Sequence, residues 1–456
     1  MTVKPKVVLY NPRAVFYTMP LALIAIASAL DRDRIDVVII DGRLEKDPIG
    51  AVVAASREAV CVGITVLTGA PIHDALAVGR AVKAANRSMP IVWGGWHPSL
   101  LPSECLDEPS VDLVVSGQGE DTFRNIVGRL IAGESVRGCQ SGTMKDLNAY
   151  PAHDYSLIPV EEYFARKGAR QIDYISSQGC RFRCAFCADP AVFSRGWTGL
   201  LPERIADEIL FLHQRHRVAD ISFQDETFFT HALRVNTLAD EFLKRNLSIT
   251  WTATLRADQA CRLGEDLFAK TVRSGLRRVM VGVESGSQEM LDRLQKDLKL
   301  EQVRVAADMC TRHGVGAIFN FIVGFPGESD KSMQATLALA KQLRRLNPAF
   351  ETPIFYYRPY PGNPLAESCA ERGYVFPKGL EEWADFDYVG GRGPWLTVDQ
   401  WKTVERFKFY TRHAWKPGAW RWPLRTTSQW RCEHDWYGLP VEKLIVDFVH
   451  PPQQVS

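Results

Sequence analysis

The stretch "IDYISSQGCRFRCAFCADP" (residues 172–190) joins a β-branched, apolar segment to a loop that holds three of the ten cysteines of the chain. Cys180, Cys184 and Cys187 follow the spacing C-x3-C-x2-C, whereas the other seven cysteines are scattered singly. Three thiolates can hold a four-iron cluster and leave one iron open to bind a small molecule through nitrogen and oxygen. The spacing therefore predicts a metal site that has three protein ligands rather than four.

Two other interpretations of the three cysteines stay open. A structural zinc site commonly has four ligands that include C-x2-C pairs, and this chain has no second such pair, so a zinc ion would need an added water or histidine. Three unrelated buried thiols need no particular spacing. Neither alternative explains the spacing as well as an incomplete iron–sulfur site does.

The same stretch begins a series of strand-like segments that alternate with helical segments. The strands are predicted at 172–177, 220–225, 248–254, 277–283, 316–323 and 352–358, with helices at 202–216, 232–245 and 300–313 among them. Consecutive strand–helix units are typical of a β/α barrel, in which the chemistry lies at the carboxyl ends of the strands. We therefore predict a partial (β/α)6 barrel of the TIM type over residues 171–364, with the cysteines after its first strand.

The N-terminal part alternates in the same way and predicts a separate α/β domain. Its strands are expected at 6–10, 35–40, 59–65, 90–95 and 111–116, with helices at 19–30 and 72–86. Continuous apolar strands separated by helices indicate a doubly wound, Rossmann-like parallel sheet. We place this domain at residues 1–133, a Gly- and Pro-containing connector at 134–170, and a small, mainly helical, aromatic-rich cap at 365–456.

Composition narrows the possible partners. The 456 residues carry a net charge of +2, which gives no polyanion-binding signature, so nucleic acid is not the expected partner. No apolar run reaches about 18 residues, and we expect a cytoplasmic protein. In a reducing compartment a tight cysteine cluster is more often a metal or redox site than a disulfide framework.

The cysteine pattern, with Phe186 before its last cysteine and at the end of the first barrel strand, resembles the radical S-adenosylmethionine (SAM) enzyme superfamily. The resemblance implies a [4Fe–4S] cluster on the three cysteines, whose open iron binds the amino and carboxylate groups of SAM. It also implies that an electron from the reduced cluster cleaves the sulfonium to give a 5'-deoxyadenosyl radical. An external one-electron donor, such as a flavodoxin or a ferredoxin, would supply that electron.

Segments at the later strand ends extend this resemblance to the rest of a SAM site. In "FQDET", Gln224, Asp225 and Glu226 occupy the place of the Gly-Gly-Glu segment that meets the methionine amino group, although the glycines are missing. The resemblance also implies contacts with the rest of SAM. Arg256 would contact the SAM carboxylate or the substrate, Glu284 would contact the ribose, and Asn320 and Gly324 would lie near the adenosine.

The first domain lacks G-x-G-x-x-G and a Walker loop, but small residues follow three successive strands. The loops "GITVLTGAP" (63–71), "WGGWHPSLLP" (93–102) and "SGQGED" (116–121) make it resemble the cobalamin-binding domain of cobalamin-dependent radical SAM enzymes. The implied cobalamin residues are Thr65, Leu67, Thr68, Gly94, Gly95, His97, Gly117 and Gly119. A Rossmann-like module without a cofactor is the alternative.

The D-x-H-x-x-G signature of a lower axial histidine is absent. We therefore expect cobalamin with its own base displaced, no protein imidazole below the cobalt, and Leu67 or Thr68 along that lower face. For His97, a role in fixing the loop or contacting the nucleotide tail is favoured over cobalt ligation.

This domain pair implies a C-methyltransferase that acts on an unactivated carbon of a small molecule through methylcobalamin and the 5'-deoxyadenosyl radical. An oxidative cyclase of the anaerobic magnesium-protoporphyrin monomethyl ester type remains an alternative, as does a corrinoid sensor, for which the tail shows no output module.

The Trp- and Arg-rich tail is expected to pack as a cap. A second hypothesis is that it admits a large apolar substrate, such as a tetrapyrrole or polyisoprenoid, or touches a membrane surface.

Overall fold

The computed structural model describes residues 4–14, 17–387, 391–415 and 422–449, which form two compact units. Unit 1 consists of Met1–Glu226 and Tyr360–Asp387, and unit 2 of Thr227–Pro359 and Tyr388–Ser456. Within the described ranges, no helix is both long enough and apolar enough to cross a membrane.

Unit 1 contains a six-stranded parallel sheet in the order β2-β1-β3-β4-β5-β6. Its strands are β1 Lys6–Asn11, β2 Asp36–Asp41, β3 Ala59–Thr65, β4 Ile91–Gly94, β5 Leu113–Gly117 and β6 Gly138–Gly142. The first five confirm the predicted strands. The sixth, "GCQSG", has too little apolar character to be predicted, and it forms because β5 offers an open edge for pairing.

Helices cover both faces of this sheet, as its alternating side chains require. Val7 and Leu9 of β1 belong to one apolar cluster, whereas Val8 and Tyr10 belong to a cluster on the other face. The helices of unit 1 are α1 Leu21–Ser28, α2 Pro48–Ser56, α3 Pro71–Ala85, α4 Trp96–Leu100, α5 Pro102–Leu106, α6 Glu120–Ile131, α7 Val160–Lys167, α8 Asp189–Phe193, α9 Pro202–His216, α15 Pro364–Glu371 and α16 Gly379–Ala384.

Helix α16 comes from the segment that the sequence places in the cap, yet it belongs to unit 1. Leu380, Trp383 and Phe386 pack into the apolar cluster around Trp93, and Trp383 Nε1 donates a hydrogen bond of 2.9 Å to Glu104 Oε2. Burial of these large side chains holds the returning segment on the first sheet. The domain bounds at 133, 170 and 364 stay predictions.

The second strand series also forms, which confirms the barrel-type fold class. In unit 1, β7 Gln171–Tyr174 and β10 Asp220–Phe223 pair in parallel, and β8 Ser177–Gly179 and β9 Trp197–Gly199 form a short antiparallel ribbon. In unit 2, the strands are β11 Thr250–Leu255, β12 Leu276–Glu284, β13 Gly316–Val323, β14 Phe350–Glu351 and β15 Ile354–Tyr356. Strand β12 pairs in parallel with β11 and β13, and β13 pairs in parallel with β14 and β15.

The helices of unit 2 include most of the predicted helical tail. They are α10 Ala232–Lys244, α11 Ala257–Arg273, α12 Gln288–Arg293, α13 Leu300–Arg312, α14 Asp330–Leu346, α17 Val398–Ala414, α18 Trp422–Glu433 and α19 Val441–Val449. In the tail, the Arg431 guanidinium lies 4.5 Å from the Trp436 ring centre and 4.8 Å from that of Tyr410. The tail therefore packs partly on itself, while Trp422 is 61% exposed and Trp420 lies outside the described residues.

We predict that Trp383→Ala destabilises unit 1 by about 3–5 kcal/mol, because it removes a large buried side chain and leaves a cavity. Urea unfolding followed by fluorescence would measure the loss. Val375→Ala, in the same returning segment but 73% exposed, should change stability by less than about 0.5 kcal/mol. Equal effects of the two substitutions would contradict the packing role of α16.

Candidate active site

The loops after β3, β4 and β5 are bonded to one another at the carboxyl edge of the first sheet. The amide of Val66 donates to the carbonyl of Gly94 at 2.7 Å, and the amide of His97 donates to the carbonyl of Val66 at 3.1 Å. Ser99 Oγ donates to the Gly95 carbonyl at 2.7 Å and accepts from the Gly117 amide at 3.0 Å. The three predicted cobalamin loops therefore form one surface.

Two of the predicted glycines are required by this close packing. Gly95 has φ +101°, and a Cβ there would lie 3.0 Å from Thr65 Oγ1 and from both backbone polar atoms of Val66. Gly117 has φ +76°, and a Cβ there would lie 2.7 Å from the carbonyl oxygen of Gly142. Any side chain would push the loops apart, so the absence of a Cβ sets the shape of this edge.

His97 lies behind the loop surface rather than on it. Its side chain and that of Thr68 are fully buried, and the Nδ1 atom of His97 lies 3.0 Å from Thr68 Oγ1. Burial lowers the pKa of His97 to about 4, so the imidazole is neutral at pH 7. Leu67, the residue before Thr68, is 42% exposed and is the large apolar side chain of this loop that faces outward. The geometry fits a loop-fixing role for His97.

The end of β10 is fastened to the segment that follows β7 by one buried carboxylate. Asp225 Oδ1 accepts from the Ser176 amide at 2.8 Å, and Oδ2 accepts from the hydroxyls of Ser176 at 2.6 Å and Ser177 at 2.5 Å. Gln224 Nε2 donates to Asp173 Oδ1 at 3.1 Å. Asp225 therefore holds in place the backbone that leads into the cysteine loop.

Glu226 and Asp189 are two buried acids in the same region. Glu226 Oε2 accepts from the Gly179 amide at 3.1 Å, and burial, with Asp189 nearby, raises the pKa of Glu226 to about 8. Burial also raises the pKa of Asp189 to about 7, and neither of its carboxyl oxygens has a hydrogen-bond partner among the described residues. Desolvated acids without a cation are costly, so this region fits a positively charged ligand.

A single cavity of about 420 Å³ within unit 1 reaches both groups of residues. From the segment predicted to bind SAM, Gln224 and Glu226 line the cavity. Six of the residues predicted to bind cobalamin line it as well: Thr65, Leu67, Gly94, Gly95, Gly117 and Gly119. Gln118 Nε2 donates to Gln178 Oε1 at 3.1 Å beside the cavity and links the first sheet to the β8–β9 ribbon. The structure thus brings the two predicted sites of unit 1 into one space.

The three cysteines lie in the loop between β8 and α8. Cys184 is buried, Cys180 and Cys187 are partly exposed, and Phe186 is partly buried between them in sequence. Burial raises the pKa of the Cys187 thiol to about 12, and Cys184 and Cys180 lie close enough to contribute. In the described ranges, no group of three or more His, Cys, Asp or Glu side chains has the geometry of a metal site.

In unit 2, Glu284 pairs with a lysine that the sequence analysis does not single out. Lys296 Nζ donates to Glu284 Oε1 at 2.7 Å, and both side chains are about nine-tenths buried. Glu284 has φ +68°, a strained conformation that functional positions often hold. Arg256 donates from Nη2 to the Lys296 carbonyl at 2.6 Å and from Nε to Asp258 Oδ1 at 2.9 Å. Arg256, Glu284 and Lys296 therefore form one buried charged cluster.

The two remaining predicted residues lie on the next strand of unit 2. Asn320 is partly buried on β13, opposite Gly282 of β12 in the register. Gly324 follows β13 with φ +80°, and its amide donates to Glu328 Oε2 at 2.6 Å. A Cβ at Gly324 would lie 2.7 Å from Leu396, which explains glycine there in structural terms.

Comparison with known protein families agrees with this layout. Residues 8–127 match the B12 binding domain, and residues 174–340 match the radical SAM superfamily. The chain carries a B12-binding domain and a radical SAM domain. It is therefore an enzyme, and its two domains occur in the order that the sequence predicts.

Relatives and solved structures support the same pair of domains. An uncharacterized methyltransferase of Pyrococcus horikoshii is 29% identical over 81% of this chain and 82% of its own length. The anaerobic magnesium-protoporphyrin IX monomethyl ester cyclase of Rubrivivax gelatinosus is 26% identical over 75% of this chain and 64% of its own length. The radical SAM methyltransferase TsrM of Kitasatospora setae, solved with cobalamin and a [4Fe–4S] cluster, has a TM-score of 0.70 at 16% identity, covering 92% of this chain and 89% of that one. This last similarity concerns the fold.

The radical SAM domain implies a [4Fe–4S] cluster and SAM, and the B12-binding domain implies cobalamin. The residues present fit these groups in their chemistry. Three thiols in one loop are suitable ligands for an iron–sulfur cluster. The partnerless Asp189 carboxyl and Glu226 suit a cationic amine, and the cavity along the glycine-lined edge of the first sheet offers space for part of a broad, flat ring.

Two residues of the candidate site were missed by sequence reasoning. The sequence analysis singles out no role for Asp189 or Lys296, because nothing local marks either residue. Asp189 becomes notable through its burial and its nearness to Glu226, and Lys296 through its pair with Glu284. Glu284 ends β12 whereas Lys296 follows α12, so no period of a single element relates them and the sequence gives no signal.

We predict that Gly95→Ala lowers the retention of hydroxocobalamin at least about tenfold. The added Cβ would meet Thr65 and Val66 at a φ that alanine rarely adopts, which separates the loops. Corrinoid absorbance after anaerobic desalting measures retention. Gly128→Ala on α6, where a Cβ meets nothing within 4 Å, should retain as much cobalamin as the wild type. Full retention by Gly95→Ala would contradict the proposed site.

We predict that Lys296→Met destabilises unit 2 by about 3–5 kcal/mol, because Glu284 would be left as an uncompensated buried charge. Adding Glu284→Gln should recover part of the loss, and urea unfolding would measure both. Lys299→Met serves as the control, because the Lys299 side chain is 68% exposed and its substitution should be nearly neutral. An effect of Lys296→Met no larger than that of Lys299→Met would argue against the buried pair.

Proposed function

We propose that this chain is a cobalamin-dependent radical SAM C-methyltransferase that acts on a carbon without nucleophilic character. The cavity of unit 1 is the observation that carries the proposal, because strand-end loops of the B12-binding domain and the Gln224–Glu226 segment line it together. Methyl transfer to a substrate radical needs a methyl donor and a radical source that reach the same substrate. A shared cavity meets that requirement.

On the cobalamin side, the chain would act mainly through shape. Leu67 would lie along the lower face of the ring, where it offers no ligand to a metal, and the buried His97 would hold the loop through Thr68. Gly94, where a Cβ would meet no atom closer than 3.7 Å, would let the backbone approach the ring, while Gly95 would keep the loops packed together.

On the SAM side, the chain would act through charge and position. Cys180, Cys184 and Cys187 would hold the cluster, while Glu226, supported by Asp189, would accept hydrogen bonds from the cationic amino group. Asp225 would keep the loop in place through Ser176 and Ser177. When bound, the cofactors supply the 5'-deoxyadenosyl radical that removes hydrogen from the substrate and the methyl group that replaces it.

In unit 2, the charged cluster supports a contact with the polar groups of SAM. Lys296 pairs with Glu284 and Arg256 pairs with Asp258, so two cations and two carboxylates lie within one largely buried cluster. A carboxylate and a ribose are the SAM groups that such charges would bind. Asn320 and Gly324 remain the residues proposed to lie near adenosine.

Methyl transfer is favoured over ring closure by the relative from Pyrococcus horikoshii. That relative carries the name of a methyltransferase and aligns over most of both chains, whereas this chain covers 64% of the Rubrivivax cyclase. The decisive experiment supplies SAM with a labelled methyl group, reductant and cobalamin to the reconstituted enzyme together with candidate substrates. Label in the product supports the methyltransferase. Product formation with all label left in methionine or SAM would exclude methyl transfer and favour a cyclase.

We predict that Cys184→Ala abolishes both the visible absorbance of the reconstituted cluster and the formation of 5'-deoxyadenosine, because it removes one of three cluster ligands. Iron and sulfide analysis would accompany chromatography of the nucleoside products. Cys139→Ala, at an exposed thiol on β6, should retain both properties. A Cys184→Ala protein that cleaves SAM normally would refute the iron–sulfur site.

A further inference from the structure

We propose that the exposed side of the cysteine loop is a docking surface for an acidic one-electron carrier protein. The surface consists of Arg181, Arg183 and Arg195, and we call it the arginine face. The inference rests on the proposed function, because radical SAM chemistry consumes an electron that this chain must receive from outside.

The β8–β9 ribbon brings Arg181 and Arg195 together, and Arg183 lies two residues after Arg181 in the same loop. Its register pairs Ser177 with Gly199, Gln178 with Thr198 and Gly179 with Trp197. Continuing that register by two residues places Arg181 opposite Arg195. A hydrogen bond of 3.3 Å from Arg195 Nη2 to the Arg181 carbonyl shows that the two segments lie close together.

Local backbone turns and side-chain contacts hold Arg181 and Arg195 in place. Ser194 and Arg195 have φ values of +51° and +57°, which turn the chain sharply before β9. The Arg181 guanidinium lies 5.5 Å from the centre of the Trp197 ring, in a cation–π contact. Their positions are therefore set before a partner arrives, which reduces the entropy lost on docking.

The exposed charged groups of the arginine face are all positive. Arg181, Arg183 and Arg195 are exposed, and the acid within this segment, Asp189, is buried. Among the described residues, neither Arg181 nor Arg195 forms an ion pair. Like charges held side by side repel each other, and an external negative surface would relieve that repulsion.

The position of the face selects the kind of partner. Arg181 and Arg183 lie between Cys180 and Cys184 in sequence, so a protein bound here would bring its own redox group close to the proposed cluster. Electron-transfer encounters use small interfaces and are steered by complementary charge. The carrier is oxidised by one electron and the cluster is reduced by one, and no bond or proton changes in this chain.

The test is the double variant Arg181→Glu/Arg195→Glu, reconstituted anaerobically and assayed for 5'-deoxyadenosine. Reduced flavodoxin serves as one electron donor, reduced ferredoxin as the second, and reduced methyl viologen as the third. Methyl viologen is a small cation, so reversal of the charge does not repel it. We expect the rate with at least one protein donor to fall about tenfold or more, and the viologen rate to stay within about twofold.

Two controls isolate the charge. Arg87→Glu reverses an exposed arginine after α3, far along the chain from the loop, and should leave the rates with all three donors unchanged. Arg181→Lys/Arg195→Lys keeps the charge and should retain most of the protein-driven rate. The wild-type rate with the protein donor should fall as salt rises from about 50 to 500 mM, and the Glu variant should lose this dependence.

Each other outcome contradicts the inference. Unchanged rates with both protein donors would show that the arginine face is not the docking surface. An equal fall with methyl viologen, or a loss of bound iron, would show that the arginines support the loop instead. A wild-type enzyme that cleaves no SAM with any donor would overturn the proposed function itself.

Discussion

The buried carboxylate of Asp225 is the constraint on which the candidate site depends. It accepts hydrogen bonds from the backbone of Ser176 and from the hydroxyls of Ser176 and Ser177, so it ties the end of β10 to the chain that leaves β7. That tie fixes the start of the cysteine loop and also the direction of Glu226, the next residue along the chain. A buried charge satisfied by several short hydrogen bonds is costly to break, which makes it a firm anchor for a loop.

The cavity combines two kinds of surface that serve different chemistry. At the edge of the first sheet, glycines and the exposed apolar side chain of Leu67 line the cavity. Beyond them, Glu226 and the neighbouring Asp189 form a buried acidic region, in which burial raises the pKa of both carboxyls and a bound cation would favour their ionised forms. A flat neutral ring suits the first surface and a cationic amine suits the second. This contrast supports the proposal that cobalamin lies at the edge of the first sheet and that the amino group of SAM lies beside Glu226.

Much of the fold could be predicted because its signals are local. Apolar strands and amphipathic helices repeat with their own periods, and the predicted strand 316–323 and helix 202–216 match the observed bounds. Strand β6 could not be predicted, because its pairing comes from the open edge of β5 rather than from its own residues. The return of α16 to unit 1 was also missed, since burial of Trp383 beside Trp93 joins residues almost 300 positions apart.

The sequence by itself determined the chemistry that this protein offers: three thiols at one spacing, an acid at the second strand end, and glycine-rich loops after the strands of the first sheet. Each of these depends on residue type and nearby spacing, which a sequence displays directly. Only the tertiary structure decided that Asp225 accepts hydrogen bonds from Ser176 and Ser177, that His97 lies behind its loop, and that Lys296 pairs with Glu284. These outcomes depend on which distant side chains become buried together, because burial sets both the partners and the cost of a charge.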